Sequence, residues 1–158
     1  MILHHREVEA KDLPLIAKFP RNARELFFMH PTAVFPLTKE QLTDAIAQRE
    51  CSTVVLQEKV PVAFANIYDW HQGGSCSIGN VAVSAGYRGR GVGQYLITTM
   101  INKAIESFSA REVRVWCHST NTNALLMYHK LGFLPDSMKT RVDFEGKRVV
   151  ILGLGLKL

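Results

Sequence analysis

The stretch that most constrains this chain is Val81-Ala82-Val83-Ser84-Ala85-Gly86-Tyr87-Arg88-Gly89-Arg90-Gly91-Val92-Gly93-Gln94. An apolar strand pattern runs into a short loop of glycine and arginine, and a helical periodicity begins at once. The start of a helix leaves backbone N–H groups without partners and carries a partial positive charge. Glycines let the backbone come close to a ligand, and the two arginines add charge and donors. Strand, glycine loop and helix in this order predict a cradle for a pyrophosphate, and with it an enzyme that holds a phosphorylated cofactor.

The chain has 158 residues, enough for one domain with a real hydrophobic core. It is 47% hydrophobic and 21% charged, an ordinary balance for a globular protein. No run approaches the ~18 apolar residues needed to cross a bilayer, so no membrane partner is expected. Residues 1–6 lack a long apolar core and a cleavage pattern; no signal peptide is expected, and a cytoplasmic location follows by default. The net charge of +5 is spread along the chain rather than clustered, which argues against nucleic acid as the partner. Cys51, Cys76 and Cys117 fall singly in strand-like segments without CxxC spacing, the pattern of buried free thiols rather than disulfides or zinc ligands. His4-His5 has no partner at ligand spacing, so no metal is expected.

Along the chain, residues 2–8 read as a strand, and Asp12 caps a short helix with Pro14 in its first turn. Residues 19–36 are rich in proline and aromatics and predict short helical pieces. Thr38, with Gln41 three places on, is a capping-box start for a helix reaching about Arg49. Residues 51–57 and 60–69 predict a hairpin closing at Glu58-Lys59, and residues 75–83 a further strand. The helix after the glycine loop runs to about Phe108, with Tyr95, Met100, Ile101, Ala104 and Ile105 as most of its apolar face. A strand over 113–117, a helix over 121–131 and a hairpin over 133–158 turning at Glu145-Gly146 complete the reading. Residues 149–154 are apolar enough to be buried or to pair across a homodimer. The alternation of elements makes one compact α/β domain, residues 1–158, on a mixed sheet.

Two motifs carry a family resemblance. Arg88-Gly89-Arg90-Gly91-Val92-Gly93 fills the pattern Arg/Gln-x-x-Gly-x-Gly/Ala, and Asn121 to Phe133 carries Asn, Ala, Tyr and Gly-Phe in order as Asn121, Ala124, Tyr128 and Gly132-Phe133. A helix and a strand separate them. The chain thus resembles the GNAT superfamily of acetyl-CoA-dependent N-acetyltransferases. The resemblance implies a central twisted mixed sheet of about six or seven strands flanked by helices. It implies acetyl-CoA as cosubstrate, with the amides of Arg88, Gly89, Arg90, Gly91, Val92, Gly93 and Gln94 on its pyrophosphate. Val81, Ala82 and Val83 are implied to pair with the pantetheine arm like another strand, and Asn121 to bond the arm or its loop. A strand N–H near Val83 would then face the developing negative charge on the carbonyl oxygen.

Tyr128 stands at the family's tyrosine position, which implies a general acid near the sulfur; a phenol with a pKa near ~10 stays protonated at neutral pH. The general base is not legible, because the strand positions where many relatives carry glutamate hold Ser77-Ile78-Gly79-Asn80 and Trp116-Cys117-His118. His118 is either a proton acceptor or, the simpler reading, a surface histidine at a strand end. Asp69-Trp70-His71 and Phe27, Phe28, Met29 and His30 either line an acceptor pocket or are ordinary core and loop residues, again the simpler reading.

The acceptor is a small-molecule amine or the amine of a peptide. The motif segments also resemble bacterial enzymes that acetylate the N-terminus of a ribosomal protein, although Trp116 replaces the glutamate usual there. A second class of function is a sensor or interaction module that binds acetyl-CoA without turnover. A dinucleotide oxidoreductase would need its glycine motif after the first strand, whereas Gly89-Arg90-Gly91-Val92-Gly93 lies mid-chain with another spacing.

Overall fold

The computed structural model describes residues 1–158. In chain order it contains β1 (Leu3–Glu7), a 3-10 turn (Ala10–Asp12), α1 (Leu13–Ile16), α2 (Ala23–Met29), α3 (Lys39–Ala47), β2 (Glu50–Gln57), β3 (Val60–Tyr68) and β4 (Ser75–Val83). A second 3-10 turn (Ala85–Tyr87), α4 (Val92–Phe108), β5 (Glu112–His118), α5 (Thr122–Lys130), β6 (Leu134–Val142) and β7 (Arg148–Lys157) follow. The strands form one seven-stranded sheet in the order β1-β2-β3-β4-β5-β7-β6, antiparallel except for the β4–β5 pair. This is a single α/β domain with a mixed sheet flanked by helices, as the element pattern predicts. None of the helices is long and apolar enough to cross a membrane.

Both faces of the sheet are covered, and strand periodicity decides which residue goes where. Val54, Leu56 and Phe64 pack beneath α1, α2 and α3 with Leu13, Ile16, Leu26 and Leu42. Their neighbours Val55, Ala63, Ala65 and Ile67 point the other way, into a core closed by α4. The buried stripe of α4 is Val92, Leu96, Ile97, Met100, Ala104 and Phe108. Of the expected face, Met100 and Ala104 are buried as expected, Tyr95 and Ile101 lie at the margin of the core, and Ile105 is exposed. Helix positions four apart stack on one side, and the choice between adjacent stripes is made by the sheet.

Turn chemistry follows the sequence closely. Glu58 and Lys59 both take positive φ, the geometry that matches a two-residue hairpin to strand twist. Thr38 caps α3 by accepting from the Gln41 amide, but the Gln41 side chain does not return to Thr38. It bonds the Val34 amide and the carbonyls of Val34 and Pro36, pinning the preceding loop instead. The apolar strand β7 lies between β5 and β6, so it is buried within the sheet and has no edge free to pair across a dimer. The three thiols are free, with Cys76 and Cys117 buried and Cys51 half-buried.

Candidate active site

The parallel pair β4–β5 is joined only from Ser75↔Glu112 to Ile78↔Val115. Beyond that point β4 continues to Val83 and β5 to His118 without bonding each other. A bulge against β3 sits at this fork, where Asn66 faces Gly79 but Phe64 faces Ala82, and Asn80 takes a φ of 50°. Bulges bend and twist a strand, and this one falls where β4 leaves β5. The bulge is held by side chains. Asn66 Nδ2 donates to Asn80 Oδ1 at 2.8 Å, and Asn80 Nδ2 donates to the Met29 carbonyl at 3.2 Å, both buried. The fork opens into a cavity of about 1130 Å³ that runs from the glycine loop to the ends of β5 and β6.

At one end lies the glycine loop. Gly89 and Gly91 have φ of 69° and 83°, values that side chains seldom adopt, and Gly91 is the N-cap of α4. The amides of Gly89, Arg90, Gly91, Val92, Gly93 and Gln94 find no acceptor within the protein, whereas the Arg88 amide, also expected in the row, donates to the Ala85 carbonyl at 3.4 Å. Aligned N–H groups at the head of a long helix form an anion site by geometry and by dipole. Gly93 serves packing as well, since a Cβ there would meet Met127 Sδ of α5 at 2.9 Å.

The arginine side chains of the loop do not serve as expected. Arg88 donates through Nε to the Val83 carbonyl at 3.0 Å and through Nη1 to Glu25 Oε2 at 2.9 Å. Arg90 folds back, donating to the Gly86 carbonyl at 3.3 Å with its guanidinium 5.2 Å from the Tyr87 ring centre. Their charges are thus turned to the scaffold, and the loop is left with its main-chain amides free. Glu25 also receives Arg21, and the two guanidinium groups hold its carboxyl well below the usual carboxylate range.

Val81, Ala82, Val83, Arg88, Gly89, Gly91, Gly93, Gln94, Asn121 and Tyr128 all border the cavity, while Val92 is fully buried in the core. Asn121 starts α5, yet its side chain makes no capping bond. Tyr128 packs its ring edge-on to Phe133 at 5.6 Å, and its hydroxyl has no hydrogen-bond partner in the chain. Burial raises its pKa, with the nearby Cys117 thiol pushing the same way. The phenol therefore stays protonated at neutral pH, and Tyr128 borders the cavity.

The far end collects residues from distant segments. His118 is not on the surface: it is 5% exposed, with its ring 4.5 Å from that of Phe27 and 5.4 Å from that of Phe28. Its Nε2 is buried without a partner, and burial beside Arg141 and Lys139 lowers its pKa to about 4. A neutral imidazole results. Phe28, Met29, His30 and Asp69 line the cavity, whereas Trp70 stacks on Phe108 at 4.7 Å and Phe27 packs against His118 and Phe144. Part of this group therefore borders the cavity and part packs away from it. Lys139 Nζ sits 4.1 Å above the Trp116 ring. The cavity carboxylates are Glu25, already bound to arginine, and Asp69, which is exposed and 3.5 Å from His71 Nε2.

In this α/β fold a forked parallel pair, a row of free amides at a helix start and a buried tyrosine meet at one cavity. A profile of the acetyltransferase (GNAT) family matches residues 18–133, and the chain belongs to that family. No curated protein matches it by sequence. Solved structures share its fold. A candidate phosphinothricin N-acetyltransferase is 19% identical with a TM-score of 0.80, covering 99% of each chain. The ribosomal-protein-S18-alanine N-acetyltransferase of Escherichia coli is 18% identical with a TM-score of 0.77, over 99% of this chain and 94% of that one. The candidate acetyltransferase yncA of Salmonella typhimurium, solved with its cofactor acetyl-CoA, is 17% identical with a TM-score of 0.76 over the same shares.

Proposed function

We propose that this GNAT acetyltransferase moves the acetyl group of acetyl-CoA to a primary amine by direct attack in a ternary complex. The observation that carries the reading is the run of unpartnered amides from Gly89 to Gln94, which opens onto the same cavity as the unpartnered Tyr128 hydroxyl. The amides bind the diphosphate. Val81, Ala82 and Val83, beyond the last β4–β5 pairing, take the pantetheine arm along the open edge of β4, and the uncommitted Asn121 amide bonds the arm. The bound cosubstrate supplies an activated thioester. Everything else is positioning, which can provide much of the acceleration.

Tyr128 donates a hydrogen bond to the sulfur as the C–S bond breaks. Its raised pKa keeps the phenol protonated while charge builds on the leaving thiolate. The attacking amine must be neutral. Arg141 and Lys139 beside the far end of the cavity disfavour a bound ammonium, so the amine enters with its lone pair free and no buried carboxylate base is needed. As the N–C bond forms and the C–S bond breaks, the Tyr128 phenol passes its proton to the departing sulfur, which leaves as a thiol; the surplus amine proton passes to water, and water returns a proton to the phenolate.

The test is thiol release from acetyl-CoA with a panel of small amines and peptides. Amine-dependent release is expected. Tight acetyl-CoA binding without release by any amine or peptide would instead make the chain a sensor.

A further inference from the structure

Arg49 is the one cavity cation that lies deep, lacks an acid and is held in place. It follows α3, and Nη1 donates to Asn66 Oδ1 at 3.0 Å. Asn66 is itself oriented by Asn80, so the acceptor offered to Arg49 belongs to the network that fixes the β4 bulge. The guanidinium carbon lies 4.2 Å from the centre of the Tyr68 ring, and the group is half-buried. Gly79 makes room for it: a Cβ there would collide with Arg49 Nη1 and with Tyr68. No carboxylate comes within ion-pair distance, and Nε and Nη2 make no hydrogen bond. Neither nitrogen is sealed from the cavity.

A desolvated cation without a counter-charge is unfavourable in an empty pocket and becomes favourable when an anion arrives. The fork of a guanidinium matches the two oxygens of a carboxylate. Burial lowers the Arg49 pKa against an opposing effect from Tyr68, and His30 is lowered by burial and by the Arg49 charge. Gly79 precedes Val81 by two residues, about 7 Å along a strand. The guanidinium beside Gly79 and the open edge of β4 at Val81 to Val83 border the same cavity.

Resting on the N-acetyl transfer reading, we propose that Arg49 anchors the acceptor, and that the substrates are small primary amines bearing a carboxylate or similar oxyanion. The oxyanion takes Nε and Nη2 of Arg49, the Tyr68 ring forms the wall beneath it, and the amine is directed along β4 toward the fork. Arg49 is a binding residue in this scheme and touches no reacting atom.

The experiment compares an α-amino acid, its carboxamide, its decarboxylated amine, an aminoalkylphosphonate and a short peptide as acceptors for the full chain. The carboxylate and phosphonate should exceed their neutral counterparts by about 30-fold in kcat/KM, the range that hydrogen bonds to a charged group supply. Arg49→Met should collapse that ratio by raising KM for the anionic amines, with the CoA dissociation constant unchanged. If Arg49→Met does not fold, Arg49→Lys keeps the charge, loses the fork and should lower the ratio several-fold. Equal rates for neutral and anionic amines, faster acetylation of the peptide, or a ratio untouched in a folded variant would overturn the proposal. If no amine releases thiol, the transfer reading fails by itself. Calorimetry with CoA present then decides the anchor: anionic amines binding the wild type but not the variant support it, and no binding overturns it.

Discussion

Arg88 Nη1 lies 2.9 Å from Glu25 Oε2, a bond between residues 63 positions apart that ties the glycine loop to helix α2. The same arginine holds the Val83 carbonyl, so α2, the end of β4 and the loop before α4 are tied together. Glu25→Gln should weaken this tie by about 1 kcal/mol, the value of a partly exposed charged pair. CoA affinity should fall a few-fold in calorimetry while the fold persists.

Glu25 also sets an acid limit. Its folded-state pKa is depressed, so its contribution to stability is full above the ordinary value of 4.5 and is lost as pH falls below it. Thermal melts of the wild type should decline through that range, and those of Glu25→Gln should decline less steeply.

Tyr128→Phe should lower kcat by about 10²-fold, the smaller end of general-acid effects, with little change in CoA binding. Because burial raises the Tyr128 pKa, the wild-type rate should show no alkaline loss from this group up to pH 10. A variant with wild-type kcat removes Tyr128 from the chemistry.

Gly91→Val places a β-branched residue at a φ of 83°. The left-handed conformation costs such a residue about 1–2 kcal/mol, and relief of that strain turns the cradle amides. Loss of CoA binding with a modest drop in Tm is expected; normal affinity would place the diphosphate elsewhere.

Asn80→Ala strips the buried bulge of its partners, leaving Asn66 Nδ2 and the Met29 carbonyl unsatisfied. Each orphaned group costs about 1–3 kcal/mol. Chemical denaturation should show destabilisation of that order, with the acceptor KM rising because Asn66 no longer orients Arg49.

The order of elements, the glycine loop and the Glu58-Lys59 turn were legible in the chain because their causes lie within a few residues. A strand alternates, a helix start exposes amides, and a short turn sets its own φ angles whatever surrounds them. The apolar face of α4 was read correctly at Met100 and Ala104 but extended too far toward Ile105, since neighbouring stripes are nearly equivalent until a sheet selects one. His118 read as a surface residue because nothing beside it in sequence announces Phe27 and Phe28 as its walls.

The amide cradle was therefore a property of local sequence, whereas the charges around it belonged to the tertiary structure. Arg88 became a clamp only when α2 brought Glu25 to it, and Arg49 became a lone cation in the cavity only when Gly79 and Asn66 closed around it. Backbone conformation is settled by short-range sterics and hydrogen bonds, but the state of a charge depends on which distant groups share its burial.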